Sequence, residues 1–191
     1  MPTTSATDLS LYNIRASHYF VLQAHCPCKT CKQDTQVIAL ALPPQHQCLE
    51  SDVLQQEDDD FTGLGAAEFH DWLFAPEQWY DIAGPAIIMT VAALCDTVTA
   101  TLQAHYPNYS LSGEGNNRHW QNHCQHCGAD IRDGDLHAHT TSVFSPKDPE
   151  AAALIRIQRI NAPFEAYYGM CWNEGYTMKA ALFALIEQAN Q

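Results

Sequence analysis

Apolar and polar positions along the chain fall into short segments with two distinct periods. Residues 18–22, His18-Tyr19-Phe20-Val21-Leu22, are aromatic and β-branched and predict a strand. Residues 35–42, from Thr35 through Val37, Ile38 and Leu40, predict a second strand, ended by Pro43 and Pro44. Residues 86–91 read as a buried strand. Residues 94–106 follow as a helix, with Val98, Leu102 and His105 at helical spacing and Pro107 closing it. A short strand at 109–111, a turn at 113–117 and an extended segment at 118–122 come next. Residues 130–134 predict a turn and residues 135–141 a strand. Asp148 and Pro149 open a short helix, with proline at its first position. Residues 155–160 alternate and favour a strand, with a helix as the alternative. Residues 177–191 predict a C-terminal helix carrying Met178, Ala181, Leu182, Leu185 and Ile186 on one face.

Two stretches are less regular. Residues 43–65 are polar and acidic and read as a surface loop. Their run Glu57-Asp58-Asp59-Asp60 lacks the ordered spacing of a calcium loop, so it reads as a solvated face. Residues 66–80 carry Phe69, Trp72, Leu73, Phe74, Trp79 and Tyr80, and predict a short helix and turn broken at Pro76. The order of elements predicts an α+β fold. Its core is a split zinc ribbon with an inserted strand-helix unit, and its C-terminal helix packs on a mostly antiparallel sheet.

At 191 residues the chain fits one domain, residues 1–191, with 43–118 inserted between two cysteine motifs. An apolar fraction of 46% and 10% aromatics supply a real core and argue against disorder. Nine Lys and Arg against 22 Asp and Glu give a formal net charge of -13, which disfavours nucleic acid as a partner. Residues 1–10 lack a basic start and an apolar stretch, and no apolar run of membrane-spanning length occurs, so the expectation is a cytoplasmic protein with no membrane partner. In a reducing compartment eight cysteines read as metal ligands and core thiols rather than disulfides.

Four of them have ligand spacing. Cys28 and Cys31, and Cys124 and Cys127, form two Cys-x-x-Cys knuckles flanked by strand-like sequence. A thiolate pair at i and i+3 folds back so that both sulfurs meet one ion, and two pairs complete a tetrahedral shell suited to Zn2+. Gly128 directly after the second knuckle suits the tight turn there. Between Cys31 and Cys124 lie 92 residues. Closing that loop costs roughly 4 kcal/mol, against roughly 10–16 kcal/mol from a structural zinc. Cys26, His25, His123 and His126 stand close enough in sequence to be alternative ligands. Cys48, Cys95 and Cys171 have no partner spacing and read as small buried residues.

Catalytic motifs are scarce. Pro27-Cys28-Lys29-Thr30-Cys31 matches half of a zinc deaminase signature, but its His-x-Glu half occurs nowhere in the chain. His-Glu-x-x-His, a Gly-x-Ser-x-Gly elbow and a phosphate loop are also missing. A thioredoxin-like use of Cys-x-x-Cys wants a helix after the motif, where residues 35–42 predict a strand. His137 and His139 would share one face of the predicted strand at 135–141, with Asp133 and Asp135 nearby. They mark a candidate polar pocket, with a solvated strand face as the plainer alternative.

The combination Cys28-x-x-Cys31, Thr35-x-Val37-x-Ala39-Leu40, Trp120-x-Asn122-x-Cys124-x-x-Cys127-Gly128-Ala129 and Asp133-x-x-Leu136-His137 resembles a group of uncharacterised bacterial proteins with a split zinc-ribbon-like core. It covers the knuckles and their flanks, about a third of the chain. That pattern expects a glycine before the aspartate, where Arg132 stands here and Gly134 follows. The resemblance implies the metal and the fold and brings no activity. Asn122 is then either a knuckle cap or a turn residue. The expected function is a non-catalytic protein with one structural zinc on Cys28, Cys31, Cys124 and Cys127. It would serve as a protein-interaction module, for which residues 72–80 are a candidate surface, with core packing as the plainer reading of that stretch. The alternatives are an enzyme with a pocket near His137, His139 and Asp133, and a nucleic-acid-binding zinc ribbon, which the charge disfavours.

Overall fold

A computed structural model describes residues 12–49, 75–115, 118–172 and 179–191. The described residues begin with β1 (Ile14–Ala16), β2 (Tyr19–Pro27), β3 (Asp34–Leu42) and β4 (His46–Leu49). A 3-10 turn at Pro76–Gln78 leads into β5 (Trp79–Ile82), β6 (Ala86–Leu94) and helix α1 (Asp96–His105). Then come β7 (Tyr109–Ser112), β8 (His119–His123), β9 (Asp130–Ile131), α2 (Asp133–His137) and α3 (Pro149–Ala152). The chain closes with β10 (Arg156–Ile160), β11 (Phe164–Trp172) and α4 (Ala180–Asn190).

Among the described residues eleven strands join one antiparallel sheet, ordered β10-β2-β3-β6-β11-β1-β4-β5. The strand β8 branches off β6 at Val91 opposite Trp120, and carries β7 and β9 on its two sides. Central strands are buried on both faces, which is why β2 and β3 read as near-continuous apolar runs. Tyr19, Val21, Ile38 and Leu40 face α1, which seats Val98 and Leu102 on them. Phe20, Leu22, Val37 and Ala39 face the other way, toward Leu136, Phe144 and the α4 residues Leu182, Phe183 and Ile186. Cys28 and Cys124 belong to this second core. The α+β class and the mostly antiparallel sheet agree with the sequence reading.

Several elements differ from it. Residues 135–141 are not a strand. Asp133 and Asp135 place carboxylates in the first turn of a helix, where the backbone dipole favours them, and α2 ends at His137. The aromatic segment β11 was not anticipated, although it lies between β6 and β1 within the sheet. Its exposed residues Glu165 and Gly169 break the apolar pattern. Residues 46–49 form a strand inside the expected loop. Trp79–Ile82 is a strand where a turn was expected. The acidic run at 57–60 and most of the aromatic surface at 72–80 lie outside the described residues.

Two asparagines repair the sheet where its ladder breaks. The β6–β11 register slips between Tyr167 and Tyr168, and there Asn13 donates to Tyr168 O and accepts from Tyr168 N, both at 2.9 Å. Near the same slip Thr90 adopts φ 53, a left-handed conformation that is costly for a β-branched residue. Asp133 holds it by accepting the Thr90 N–H at 2.8 Å, and Gly169 presents no side chain against it. Asn122 is the second splice and belongs to the site.

Candidate metal centre

Two strand-turn-strand units bring the cysteines together. The first is β2, the turn at 28–33 and β3; the second is β8, the turn at 124–129 and β9. The two turns share one hydrogen-bond pattern. The Cys28 N–H donates to Gln33 O and the Cys124 N–H to Ala129 O, each at 2.9 Å. The Lys32 N–H returns to Cys28 O at 2.9 Å and the Gly128 N–H to Cys124 O at 2.8 Å. Both returning residues are left-handed, Lys32 at φ 63 and Gly128 at φ 72, so glycine fits the second turn while lysine bears the strain in the first. Amides also face sulfur: Thr30 N lies 3.4 Å from Cys28 Sγ, and His126 N lies 3.5 Å from Cys124 Sγ.

The four sulfurs of Cys28, Cys31, Cys124 and Cys127 lie within 4.8 Å of one another. Cys28 Sγ stands 3.7 Å from Cys127 Sγ, and Cys31 Sγ stands 3.6 Å from Cys124 Sγ. Sulfurs 2.3 Å from a tetrahedral centre are about 3.8 Å apart, so this spacing fits one ion. It is far too long for a disulfide, and all eight cysteines are free thiols. Burial pushes the Cys124 thiol up, but the His126 and Cys127 amides and the neighbouring sulfurs pull it down to about 6. Cys31 is pushed up to about 11: the Gln33 amide favours its thiolate, but burial and its three sulfur neighbours overcome that. Four thiolates at this spacing repel one another, and a cation between them removes the conflict.

No family model, curated protein or solved structure matches this chain. The reading of the site therefore rests on its own geometry.

The neighbouring candidates are engaged elsewhere. His25 Nδ1 lies 2.8 Å from Asp34 Oδ2, His123 Nδ1 lies 3.0 Å from Asp130 Oδ1, and His126 Nε2 lies 2.8 Å from Asp34 O. Cys26 is half-buried beside the four-sulfur group but is not a member of it, and its thiol is pushed up by burial. Cys48 is buried against the Tyr168 hydroxyl at 3.8 Å, while Cys95 and Cys171 are only partly buried.

His137, His139 and Asp133 do not converge. His137 is buried with its ring stacked on Phe144, His139 is exposed, and Asp133 binds the Thr90 amide. Ending α2 at His137 removes the strand face that was to carry both imidazoles.

Two features were not legible from spacing. Asn122 Oδ1 accepts the Ile38 N–H at 2.8 Å and Asn122 Nδ2 donates to Ile38 O at 2.9 Å, so it splices β8 to β3 and does not cap the knuckle. Lys179 is fully buried at the start of α4. Its Nζ donates to Phe144 O at 2.7 Å, Ser145 Oγ at 2.9 Å and His137 O at 3.2 Å, and lies 4.9 Å from the Trp172 ring centre. Among the described residues no helix is long and apolar enough to cross a membrane.

Proposed function

We propose that Cys28, Cys31, Cys124 and Cys127 hold one zinc ion as a structural clasp in a split zinc ribbon, and that the protein is a non-catalytic interaction module. The observation that carries this reading is the pairing of two equivalent turns whose sulfurs stand 3.6 and 3.7 Å apart. Thiolate ligands in tetrahedral array select zinc or iron, and a mononuclear shell from paired knuckles suits zinc. Four protein sulfurs leave no position for water, so the ion supplies architecture rather than Lewis-acid chemistry. The clasp joins two units whose cysteines are separated by 92 residues. A net charge of -13 favours a protein partner over a nucleic acid. The test is metal analysis of the purified protein beside Cys28→Ser and Cys124→Ser. One equivalent of zinc in the parent, lost in both variants, is expected. Full retention in either variant overturns the ligand set.

A further inference from the structure

The four sulfurs of the group are not equivalent. Cys28 and Cys124 are each 2% exposed, Cys31 is half-buried and Cys127 is exposed. The buried pair also has the amide donors, Thr30 N at 3.4 Å from Cys28 Sγ and His126 N at 3.5 Å from Cys124 Sγ. Cys127 Sγ has a sulfur neighbour and no amide donor among the described residues. An amide that donates to a thiolate stabilises its charge and lowers its nucleophilicity. Cys127 is therefore the most accessible of the four and lacks that restraint. The sulfurs also face one another across the two knuckles. Cys127 Sγ stands 3.7 Å from Cys28 Sγ, and Cys124 Sγ stands 3.6 Å from Cys31 Sγ. Cys26 belongs to neither pair.

We propose that Cys127 is a peroxide-reactive thiolate, and that its oxidation exchanges the zinc clasp for a disulfide between Cys127 and Cys28. The proposal deepens the clasp reading and rests on it. Metal ligation keeps all four thiols deprotonated, so Cys127 presents a thiolate without help from a base. Its sulfur attacks one oxygen of hydrogen peroxide: an S–O bond forms, the O–O bond breaks and hydroxide leaves. Cys28 Sγ, the facing sulfur, then attacks the sulfenic sulfur. The S–S bond forms, the S–O bond breaks and a second hydroxide leaves. Two protons from solvent convert both hydroxides to water. The two sulfurs lose two electrons and the peroxide gains them. Cys31 and Cys124 are then the ligands that remain, and a closed zinc shell needs four. The reacting sulfurs must close from 3.7 Å to about 2.05 Å. Contacts that use no sulfur keep the turns together meanwhile, Asn122 on Ile38 and Gln125 N on Thr35 Oγ1 at 3.1 Å. The two halves therefore stay joined when the metal leaves, with a covalent bond in place of an ion.

The test uses the full-length, zinc-loaded protein, with a zinc-binding dye to read metal release. Hydrogen peroxide is added in steps, remaining thiols are trapped with iodoacetamide, and unreduced tryptic peptides are sequenced by mass spectrometry. Cys28 lies in the peptide 16–29, Cys31 in 30–32, and Cys124 and Cys127 in 119–132. The expected product is 16–29 joined to 119–132 through Cys28 and Cys127, with two thiols lost for each zinc released. Limited labelling of unoxidised protein with N-ethylmaleimide should reach Cys127 before Cys28, Cys31 or Cys124. Dithiothreitol with added zinc should restore both thiols and the metal. Cys26→Ser should give the same link at the parent's rate. A first disulfide between Cys31 and Cys124, within one knuckle or to Cys26 overturns the proposal. So does first labelling at another of the four, or zinc retained after Cys127 is oxidised. Zinc content before oxidation separates the readings. A zinc-loaded protein that gives one of these results sinks the exchange alone, whereas a protein that takes up no zinc sinks the clasp reading and the exchange with it.

Discussion

The side-chain amide of Asn122 takes both backbone groups of Ile38, its Oδ1 at 2.8 Å from the amide nitrogen and its Nδ2 at 2.9 Å from the carbonyl oxygen. All four atoms are buried, and the bond joins the strand entering the second knuckle to the strand leaving the first. Gln125 N bonds Thr35 Oγ1 at 3.1 Å beside it. The two halves of the four-cysteine group are thus tied by protein contacts of their own.

Replacing Asn122 by Leu strands a buried donor and a buried acceptor on Ile38, each costing about 1–3 kcal/mol. Asn122→Leu should lower stability by about 2–5 kcal/mol, read as a shift in denaturant midpoint at unchanged slope. Asn122→Asp retains the acceptor but sets a carboxylate against Ile38 O, and should be no better. If Asn122→Leu matched the parent, the splice would contribute nothing.

The left-handed turns give a paired prediction. Lys32 at φ 63 and Gly128 at φ 72 occupy equivalent positions. Gly128→Ala should cost about 1 kcal/mol, because the native conformation is then strained. Lys32→Gly should stabilise by up to about 1 kcal/mol, less whatever is lost with the Lys32 Nζ bond to Lys29 O at 2.6 Å. Thermal unfolding of both variants checks the signs. Opposite signs are expected, and equal destabilisation would contradict the equivalence of the turns.

Lys179 makes a pH prediction. Burial lowers its ammonium from 10.5 to about 7, because its three oxygen acceptors are all neutral. Between those values the unfolded chain binds a proton that the folded chain does not, so stability rises with pH. The rise is opposed above pH 9, where burial holds Cys48 neutral up to about 12 while an unfolded thiol ionises. Lys179 should therefore contribute roughly 2 kcal/mol of rise between about pH 7 and 9, read as the difference in pH slope between the parent and Lys179→Met. The measurement is denaturant unfolding at pH 7, 8 and 9. The same slope in both proteins would show that Lys179 keeps its proton throughout.

The strands around the cysteines were legible because burial on both faces writes a continuous apolar run, as in Val37 to Leu42. The knuckles were legible because ligand geometry dictates local spacing, and Gly128 marks its turn. Asp135-Leu136-His137-Ala138-His139 misled because its alternating polarity imitates a strand, while the five-residue helix Asp133–His137 is too short to display its period. Lys179 was invisible because its acceptors are two carbonyls and a hydroxyl at residues 137–145, contacts that leave no spacing signal.

X-ray absorption at the zinc edge tests the clasp most directly. The account predicts a single shell of four sulfurs at about 2.3 Å in the parent protein. A nitrogen or oxygen scatterer at about 2.0–2.1 Å would mean that a histidine or water replaces one of Cys28, Cys31, Cys124 and Cys127, and would contradict a closed structural site.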